Sequence, residues 1–306
     1  MRGFLLLPAA ALVAGACTTG SGAAPTASAV VAKIATGGNP CGVAGTAGAV
    51  WVTDATQGEL LKIDPAANQV VQRTKLDATP CELRSALGSL WVITQSGRLD
   101  RVDAATGKVV ARIGIGAVTY DVAFGFRSIW VTNREGKTVQ RIDPTTNRVV
   151  KTLRFPVGKP AGIAPAGGYL WVGDDLGQAV FRLDPRSYRF RPVSTRGLSS
   201  SWVAASPGAV WVSNTASDTV SRIDPRTRKV VAVVKVGHSP VNLDVVGGDV
   251  WVPNDRGNTL SRISIATNRV VETIKTDANP AVVAPVDGEV WASMFDAGTV
   301  WRIKPG

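Results

Sequence analysis

The apolar and polar positions of the chain repeat with a period close to 40 residues. A tryptophan marks each of the seven copies, at Trp51, Trp91, Trp130, Trp171, Trp211, Trp251 and Trp291. Twelve residues after most of these tryptophans, an Ile or Leu stands inside a basic–aliphatic–Asp-Pro stretch such as Arg141-Ile142-Asp143-Pro144. Regular spacing of this length indicates a repeat architecture built from one supersecondary unit.

Each copy predicts four short strands and no helix. The first strand is small, as in Gly162-Ile163-Ala164, the second contains the tryptophan, and the fourth is β-branched, as in 230–234. Between the third and fourth strands, the sequence Asp143-Pro144-Thr145-Thr146-Asn147 predicts a tight turn, because Asp accepts backbone N–H bonds, Pro fixes φ and Asn tolerates positive φ. Four strands every 40 residues predict an all-β, seven-bladed β-propeller.

The two chain ends predict how the ring closes. The last copy stops at Gly306, just after its third strand, and so lacks a fourth. Residues 29–34, AVVAKI, match the fourth strand of another copy, RVVETI at 269–274. We therefore expect the N-terminal strand to complete the last blade, which removes an exposed sheet edge.

The repeats resemble the YVTN-type β-propeller family and the wider group that contains streptogramin B lyase. The resemblance rests on the Trp-Val second strand, the Ile-Asp-Pro turn and the Asn-x-Val-Val return strand. It implies a propeller fold but no single activity, since such propellers serve many roles. Streptogramin lyases depend on more than one histidine together with acidic groups and a divalent metal, whereas His238 is the one histidine of this sequence. The resemblance therefore does not carry the lyase activity over.

The N-terminal segment is typical of an export signal. A basic Arg2 precedes a short apolar run, 4–13, which is too short to span a bilayer as a helix. Small residues and Cys17 follow, which resembles a bacterial lipobox, although Ala14 stands where Leu is commonest. The predicted organisation is a signal peptide over 1–16, a lipidated flexible linker over 17–29 and the propeller over 30–306. Ordinary cleavage and release as a soluble protein is the alternative.

Charge and cysteines refine this location. The formal charge of +11 becomes +10 once Arg2 is removed, and a basic protein suits a membrane surface or an acidic polymer. Export argues against nucleic acid. Basic residues cluster in the turns between third and fourth strands, at Lys108, Arg148, Arg186, Arg189, Arg226, Arg228, Lys229 and Arg269. This face either lies toward anionic headgroups or is simply solvated.

Cys41 and Cys81 stand at equivalent positions on the inner strands of adjacent blades. They are predicted to form a disulfide, and two buried thiols are the alternative.

Candidate binding residues are those that vary between copies while the scaffold stays constant. On the inner strands they are Tyr120, Asp121, Trp202, Asn242 and Asp244. Just after the tryptophans they are Asn133, Asp174, Asn214, Asn254 and Phe295, and His238 follows a fourth strand on the same face. An aromatic group beside carboxylates and amides suits a polar ligand with an apolar part. The alternative is that the Asn and Asp residues close hairpins and that His238 is a surface residue.

The sequence thus predicts an exported, lipid-anchored protein on the outer face of a bacterial cell membrane. Its propeller is expected to bind a small molecule or an envelope protein at the channel mouth without catalysis, as a monomer. No metal or cofactor motif is recognisable, and none is predicted. Two alternatives remain: a metal-dependent lyase or hydrolase of the streptogramin B lyase type, in which His238 is the weak catalytic candidate, and a scaffold in an envelope complex.

Overall fold

The computed structural model describes residues 26–116 and 118–306, in which 28 strands form seven antiparallel blades. This confirms the predicted all-β, seven-bladed propeller. The signal peptide over 1–16, Cys17 and most of the linker over 17–29 lie outside the described residues. Within the described part, no helix has the length and apolarity needed to cross a membrane.

The strands follow one another blade by blade. Blade 1 contains β2 (Pro40–Thr46), β3 (Ala49–Asp54), β4 (Glu59–Asp64) and β5 (Gln69–Lys75). Blade 2 contains β6 (Pro80–Ala86), β7 (Ser89–Thr94), β8 (Arg98–Asp103) and β9 (Val109–Gly114). Blade 3 contains β10 (Thr119–Gly125), β11 (Ser128–Asn133), β12 (Thr138–Asp143) and β13 (Arg148–Arg154). Blade 4 contains β14 (Pro160–Ala166), β15 (Tyr169–Asp174), β16 (Ala179–Leu183) and β17 (Phe190–Ser194).

The remaining three blades complete the ring. Blade 5 contains β18 (Ser200–Ser206), β19 (Ala209–Asn214), β20 (Thr219–Asp224) and β21 (Lys229–Lys235). Blade 6 contains β22 (Asp244–Val246), β23 (Asp249–Asn254), β24 (Thr259–Ser264) and β25 (Arg269–Lys275). Blade 7 contains β26 (Pro280–Val286), β27 (Glu289–Met294), β28 (Thr299–Lys304) and the N-terminal strand β1 (Ala29–Ala35). We call the face with the second-to-third turns and the blade-to-blade loops the upper face, and the opposite one the lower face.

The N-terminal strand closes the ring as predicted. β1 pairs antiparallel with β28, from Ala29 opposite Lys304 to Ala35 opposite Thr299. Just before β1, the Ser28 hydroxyl donates a 2.6 Å hydrogen bond to Glu272 of blade 6. The first described residues therefore belong to the lower face.

The repeated tryptophan and arginine hold neighbouring blades together. All seven repeat tryptophans are fully buried between blades. The Arg222 guanidinium lies 5.2 Å from the centre of the Trp211 ring and donates to the Ile265 carbonyl at 2.7 Å and to the Asn268 side chain at 2.6 Å in the next blade. Arg101 and Arg302 make the same kind of contact. These repeated residues are therefore structural.

At the seam, the chain ends occupy the place of the missing turn. Arg262 of blade 6 donates to the Gly306 carbonyl at 2.7 Å and to the Thr26 carbonyl at 3.2 Å. Its guanidinium is also within 2.6 Å of the Asp249 carboxylate. One buried arginine thus fixes both ends of the described chain.

Candidate functional site

The seven first strands surround a central channel, which opens into a cavity at each face. The upper cavity has a volume of about 300 Å³, and its walls include Glu82, Tyr120, Trp202 and Asp255. The lower cavity, of about 410 Å³, is lined by Arg84, Phe124, Pro165 and Asp244 among others. A volume near 300 Å³ is at the small end of the range for ligand pockets.

A disulfide forms part of the wall of the upper cavity. Cys41 of β2 and Cys81 of β6 are joined, with their Cα atoms 5.0 Å apart, which confirms the predicted pair. The bond links the first two blades across a separation of 40 residues. A loop of that length corresponds to about 4 kcal/mol of stabilisation on the chain-entropy model. The bond therefore joins blades 1 and 2 covalently at this side of the cavity.

Two aromatic rings form the opposite wall. Tyr120 of blade 3 and Trp202 of blade 5 lie with ring centres 4.7 Å apart and planes tilted by 35°. They meet across blade 4 because Gly162 is there: a Cβ at that position would lie 2.8 Å from the Trp202 Cα atom. The Arg134 guanidinium lies 6.0 Å from the centre of the Tyr120 ring and pairs with Asp175, with Nε 2.8 Å from the carboxylate.

A charged cluster lies in the channel between the two cavities. Arg84 Nη1 is 4.0 Å from Glu82 Oε2, and Arg84 Nη2 is 3.7 Å from Asp121 Oδ1. Asp121 Oδ2 also accepts a 2.9 Å hydrogen bond from the backbone N–H of Ile163, which connects blades 3 and 4. The carboxyl group of Asp244, on blade 6, also interacts electrostatically with the Arg84 guanidinium. Three carboxyl groups therefore share one guanidinium.

Burial dominates the titration of these acids. Loss of water around Glu82 raises the pKa of its carboxyl to about 8, although the Arg84 charge opposes the shift. Burial likewise raises the pKa values of Asp121 and Asp244, again opposed by Arg84. Burial also raises the pKa of the Tyr120 hydroxyl above its usual range. At neutral pH the channel therefore contains Glu82 mainly as a neutral acid, able to donate a hydrogen bond.

Several buried polar atoms near the upper cavity have no hydrogen-bond partner among the described residues. They are Glu82 Oε2, Thr119 Oγ1 and both amide atoms of Asn242. The exposed fractions of these residues are 4%, 4% and 1%. Buried polar groups are almost always hydrogen-bonded, so such atoms are available to a ligand or to solvent. Glu82 and Thr119 line the upper cavity directly.

The polar residues that follow the tryptophans are used in the loops of the upper face. Asp174 accepts hydrogen bonds from the backbone N–H groups of Lys159 at 3.1 Å and Leu176 at 3.2 Å. Asn133 Oδ1 accepts from the Gly136 N–H at 2.7 Å. Asn214 and Asn254 are completely buried, and each donates to hydroxyl groups on the neighbouring strand. These contacts agree with the hairpin alternative, and ligand binding by these four residues stays a prediction.

The other two candidates, Phe295 and His238, belong neither to the aromatic pair nor to the charged cluster of the channel. Phe295 is half-buried in the turn after β27, where its N–H donates to the Asn279 carbonyl at 2.9 Å. His238 has an exposed side chain, with Nδ1 3.1 Å from Asp218, and lines a separate surface cavity with Gly257. Among residues 26–116 and 118–306, no group of three or more His, Cys, Asp or Glu side chains is arranged to hold a metal ion.

The structure thus places Tyr120 and Trp202 on the upper cavity and Asp121 and Asp244 beside Arg84, whereas Asn242 is buried between Val241 of the upper cavity and Leu243 of the lower one. It also adds two residues that the sequence prediction missed. Glu82 and Arg84 complete the charged cluster. A comparison seven residues before each tryptophan would have revealed Arg84, because that column reads Ala44, Arg84, Ala123, Ala164, Ala204, Asp244 and Ala284. A charge among alanines on an inner strand is a signal of a buried site.

Comparison with known proteins supports the fold. No family model matches the chain, and no curated protein matches it. A solved structure described as "Streptogramin B lyase structure" superposes with a TM-score of 0.76 at 16% sequence identity, over 89% of this chain and 94% of that one. At this identity the similarity shows a shared β-propeller fold and nothing about activity.

Proposed function

We propose that this protein is an exported, lipid-anchored binding protein that holds a small ligand in the upper cavity without transforming it. The observation that supports binding is the upper cavity itself, which is lined by the Tyr120–Trp202 pair and by Glu82 and Thr119, whose buried polar atoms have no partner among the described residues. Aromatic walls with a few convergent polar groups are typical of small-molecule sites. A rigid ring with variable inner positions suits recognition.

A ligand screen by thermal shift tests this function. The panel contains cationic, neutral and anionic aromatic compounds, cell-wall fragments, macrocyclic peptides and divalent metals. We expect at least one compound to raise the melting temperature of the wild-type protein, because a ligand that binds only the folded state stabilises it. The Trp202→Ala variant should lose the shift. The control is Phe126→Ala, which removes an exposed ring on the lower face.

Other outcomes of the same screen would replace the proposal. A compound that stabilises Trp202→Ala as strongly as the wild type would place binding elsewhere. Metal-dependent turnover of a macrocycle, lost in His238→Ala, would favour a lyase. An empty screen together with a co-purifying protein would favour a scaffold in an envelope complex.

The proposed location has its own support and test. β1 begins on the lower face, so a lipid on Cys17 would hold that face toward the membrane. The proposal is that the mature chain starts at Cys17 and remains with the cell membrane. The Cys17→Ser variant should move into the soluble fraction, and mass spectrometry of the N-terminal peptide should find acyl groups only in the wild type. An unmodified wild-type peptide would contradict the anchor.

A further inference from the structure

We infer that the ligand of the upper cavity is an organic cation, an ammonium group attached to an apolar group about the size of one ring. This inference rests on the proposed function and specifies its ligand class. The described residues that line the cavity include two acids, Glu82 and Asp255, and no basic side chain. The remaining walls are mostly apolar or aromatic, with Ile93, Val241 and Trp202 among them. The lining therefore complements positive charge attached to an apolar body.

The channel below the cavity is short of positive charge. Arg84 is the one basic residue of the cluster, and its guanidinium is 4.0 Å from Glu82 and 3.7 Å from Asp121. Neither distance is a hydrogen bond, so the arginine satisfies neither acid completely. Glu82 Oε2 lacks any partner among the described residues although Glu82 is only 4% exposed. Glu82 lines the cavity, and its unpartnered carboxyl oxygen is the group that an ammonium N–H would bond.

The aromatic pair adds a second feature that favours a cation. Faces of Tyr and Trp rings attract ammonium and guanidinium groups because of the negative charge above the ring. The Arg134 guanidinium, 6.0 Å from the centre of the Tyr120 ring, already interacts in this way. Trp202 lies against Tyr120 and is half-buried in the cavity wall. A ring-bearing ammonium could stack its apolar part on Trp202 and direct its charge to Glu82.

Proton release should accompany binding of the cation. The charged and titratable groups that face Glu82 are Arg84 on its own strand, Tyr120 and Asp121 on β10, and Asp244 and Asp255 on blade 6. Burial raises the pKa of the Glu82 carboxyl to about 8, so the group is mainly protonated near neutral pH. A bound ammonium favours the carboxylate and lowers that pKa. Affinity for the cation should therefore rise with pH as Glu82 ionises.

Isothermal titration calorimetry with three compounds of the same shape tests the inference. The probes are 2-phenylethylamine, its neutral N-acetyl derivative and the anion 3-phenylpropionate. We expect the amine to bind the wild-type protein about tenfold more tightly than the neutral compound, and the anion to bind least. Titrations of the amine in phosphate and in Tris should give different enthalpies, because a proton passes from Glu82 to the buffer.

The Glu82→Gln variant adds a second readout. It should lose about tenfold in affinity for the amine and the buffer dependence of the enthalpy, and keep its affinity for the neutral compound. The Asp287→Asn variant, which changes an exposed carboxyl in a lower-face turn, should behave as the wild type. Comparison of the three probes on the wild-type protein needs no variant, so a folding defect in Glu82→Gln would not weaken the test.

The results separate the ligand class from the proposed function. Equal or tighter binding of the neutral compound or the anion would overturn the cation inference and leave a binding protein. Failure of all three to bind at up to about 10 mM would also overturn it, and the broader screen would then decide on the proposed function.

Discussion

Glu82 carries its carboxyl group into the channel beside the Arg84 guanidinium, and burial raises the pKa of the acid to about 8. In the unfolded chain the same group has a pKa near 4.5. The folded protein therefore binds the Glu82 proton more tightly than the unfolded chain does. By linkage, the contribution of Glu82 to the free energy of unfolding is fully present below about pH 4.5. This contribution is lost as the pH rises through about 8.

The first prediction follows from this sign. The free energy of unfolding of the wild-type protein should fall between about pH 5 and pH 9, and Asp121 and Asp244 should add to the fall because burial also raises their pKa values. Glu82→Gln cannot ionise, so its melting temperature should fall by several degrees less over the same range. Melting curves at three pH values measure the difference. Asp287→Asn is the control, and identical slopes for wild type and Glu82→Gln would contradict the assignment.

The sequence predicted which residues lie at the channel where equivalent positions of the seven repeats could be compared. Tyr120, Asp121 and Trp202 differ from small residues in other copies, and the structure places all three in or beside the channel. Glu82 stands in the same column as Asp121 and Trp202, and Arg84 stands in the same column as Asp244. They were missed because the sequence does not say which inner-strand side chains of neighbouring blades lie close enough to interact.

At the scale of the strands, close approach of the first strands explains why several of them contain glycine. Gly162 of β14 lies against β18, and a Cβ there would be 2.8 Å from Trp202 Cα and from Val203 N. Both are backbone atoms, so they cannot move aside as a flexible side chain would. The same approach allows the Trp202 ring to reach Tyr120.

The second prediction concerns this contact. Gly162→Ala should reduce the free energy of unfolding by about 1–3 kcal/mol, because added volume in a packed contact forces backbone shifts. It should also weaken ligand binding, since Trp202 would be displaced. Urea unfolding measures the first effect. Gly248→Ala is the matched control, because a Cβ at Gly248 meets no atom within 4 Å and its φ is not positive. Equal stability of the two variants would refute the steric argument.

The repeat predicted the strands well, with one irregularity. Every blade has the four predicted strands, and the Asp143 turn forms as expected, with Thr145 N–H donating to Asp143 and Asn147 at a φ of 55°. In blade 6, however, β22 contains only Asp244–Val246, and Pro240 forms an isolated bridge to Asn254. Asn242 therefore lies outside the regular ladder. The repeat pattern could not predict this, because Pro240 has counterparts in other blades whose first strands are regular.

At the scale of the whole molecule, the lower face presents both basic and exposed apolar side chains. Eight basic residues in the lower-face turns form no ion pair among the described residues. They are Lys108, Arg148, Arg186, Arg189, Arg226, Arg228, Lys229 and Arg269. Leu87, Phe124 and Phe126 are exposed on the same face. Unpaired basic groups with exposed apolar side chains suit contact with an anionic lipid surface.

The third prediction tests that surface without the lipid anchor. The Cys17→Ser protein should float with vesicles that contain phosphatidylserine at low salt, and less at high salt, because each basic residue near an anionic surface contributes about 1 kcal/mol. Replacing Arg148, Arg186, Arg226 and Arg228 by Gln should reduce binding by at least about tenfold.

An equal loss of charge on the upper face is the control for this experiment. The control variant replaces Lys137, Arg154, Arg196 and Arg256 by Gln and should bind vesicles as the parent does. Equal losses in both variants would mean that net charge, and not a particular face, attracts the protein. No binding to anionic vesicles at low salt would refute a membrane-facing lower surface.

The pairing of β1 with β28 has a consequence for how the molecule is made. The ribosome produces β1 before all other strands and β28 after them. β1 therefore has no pairing partner until nearly the entire propeller has been synthesised. Until then, six complete blades can form an open arc, and blade 7 cannot be finished. Contacts between such distant segments form slowly, because a long loop must close before they stabilise anything. A chain released before Thr299–Lys304 would remain an open arc with an unpaired first strand.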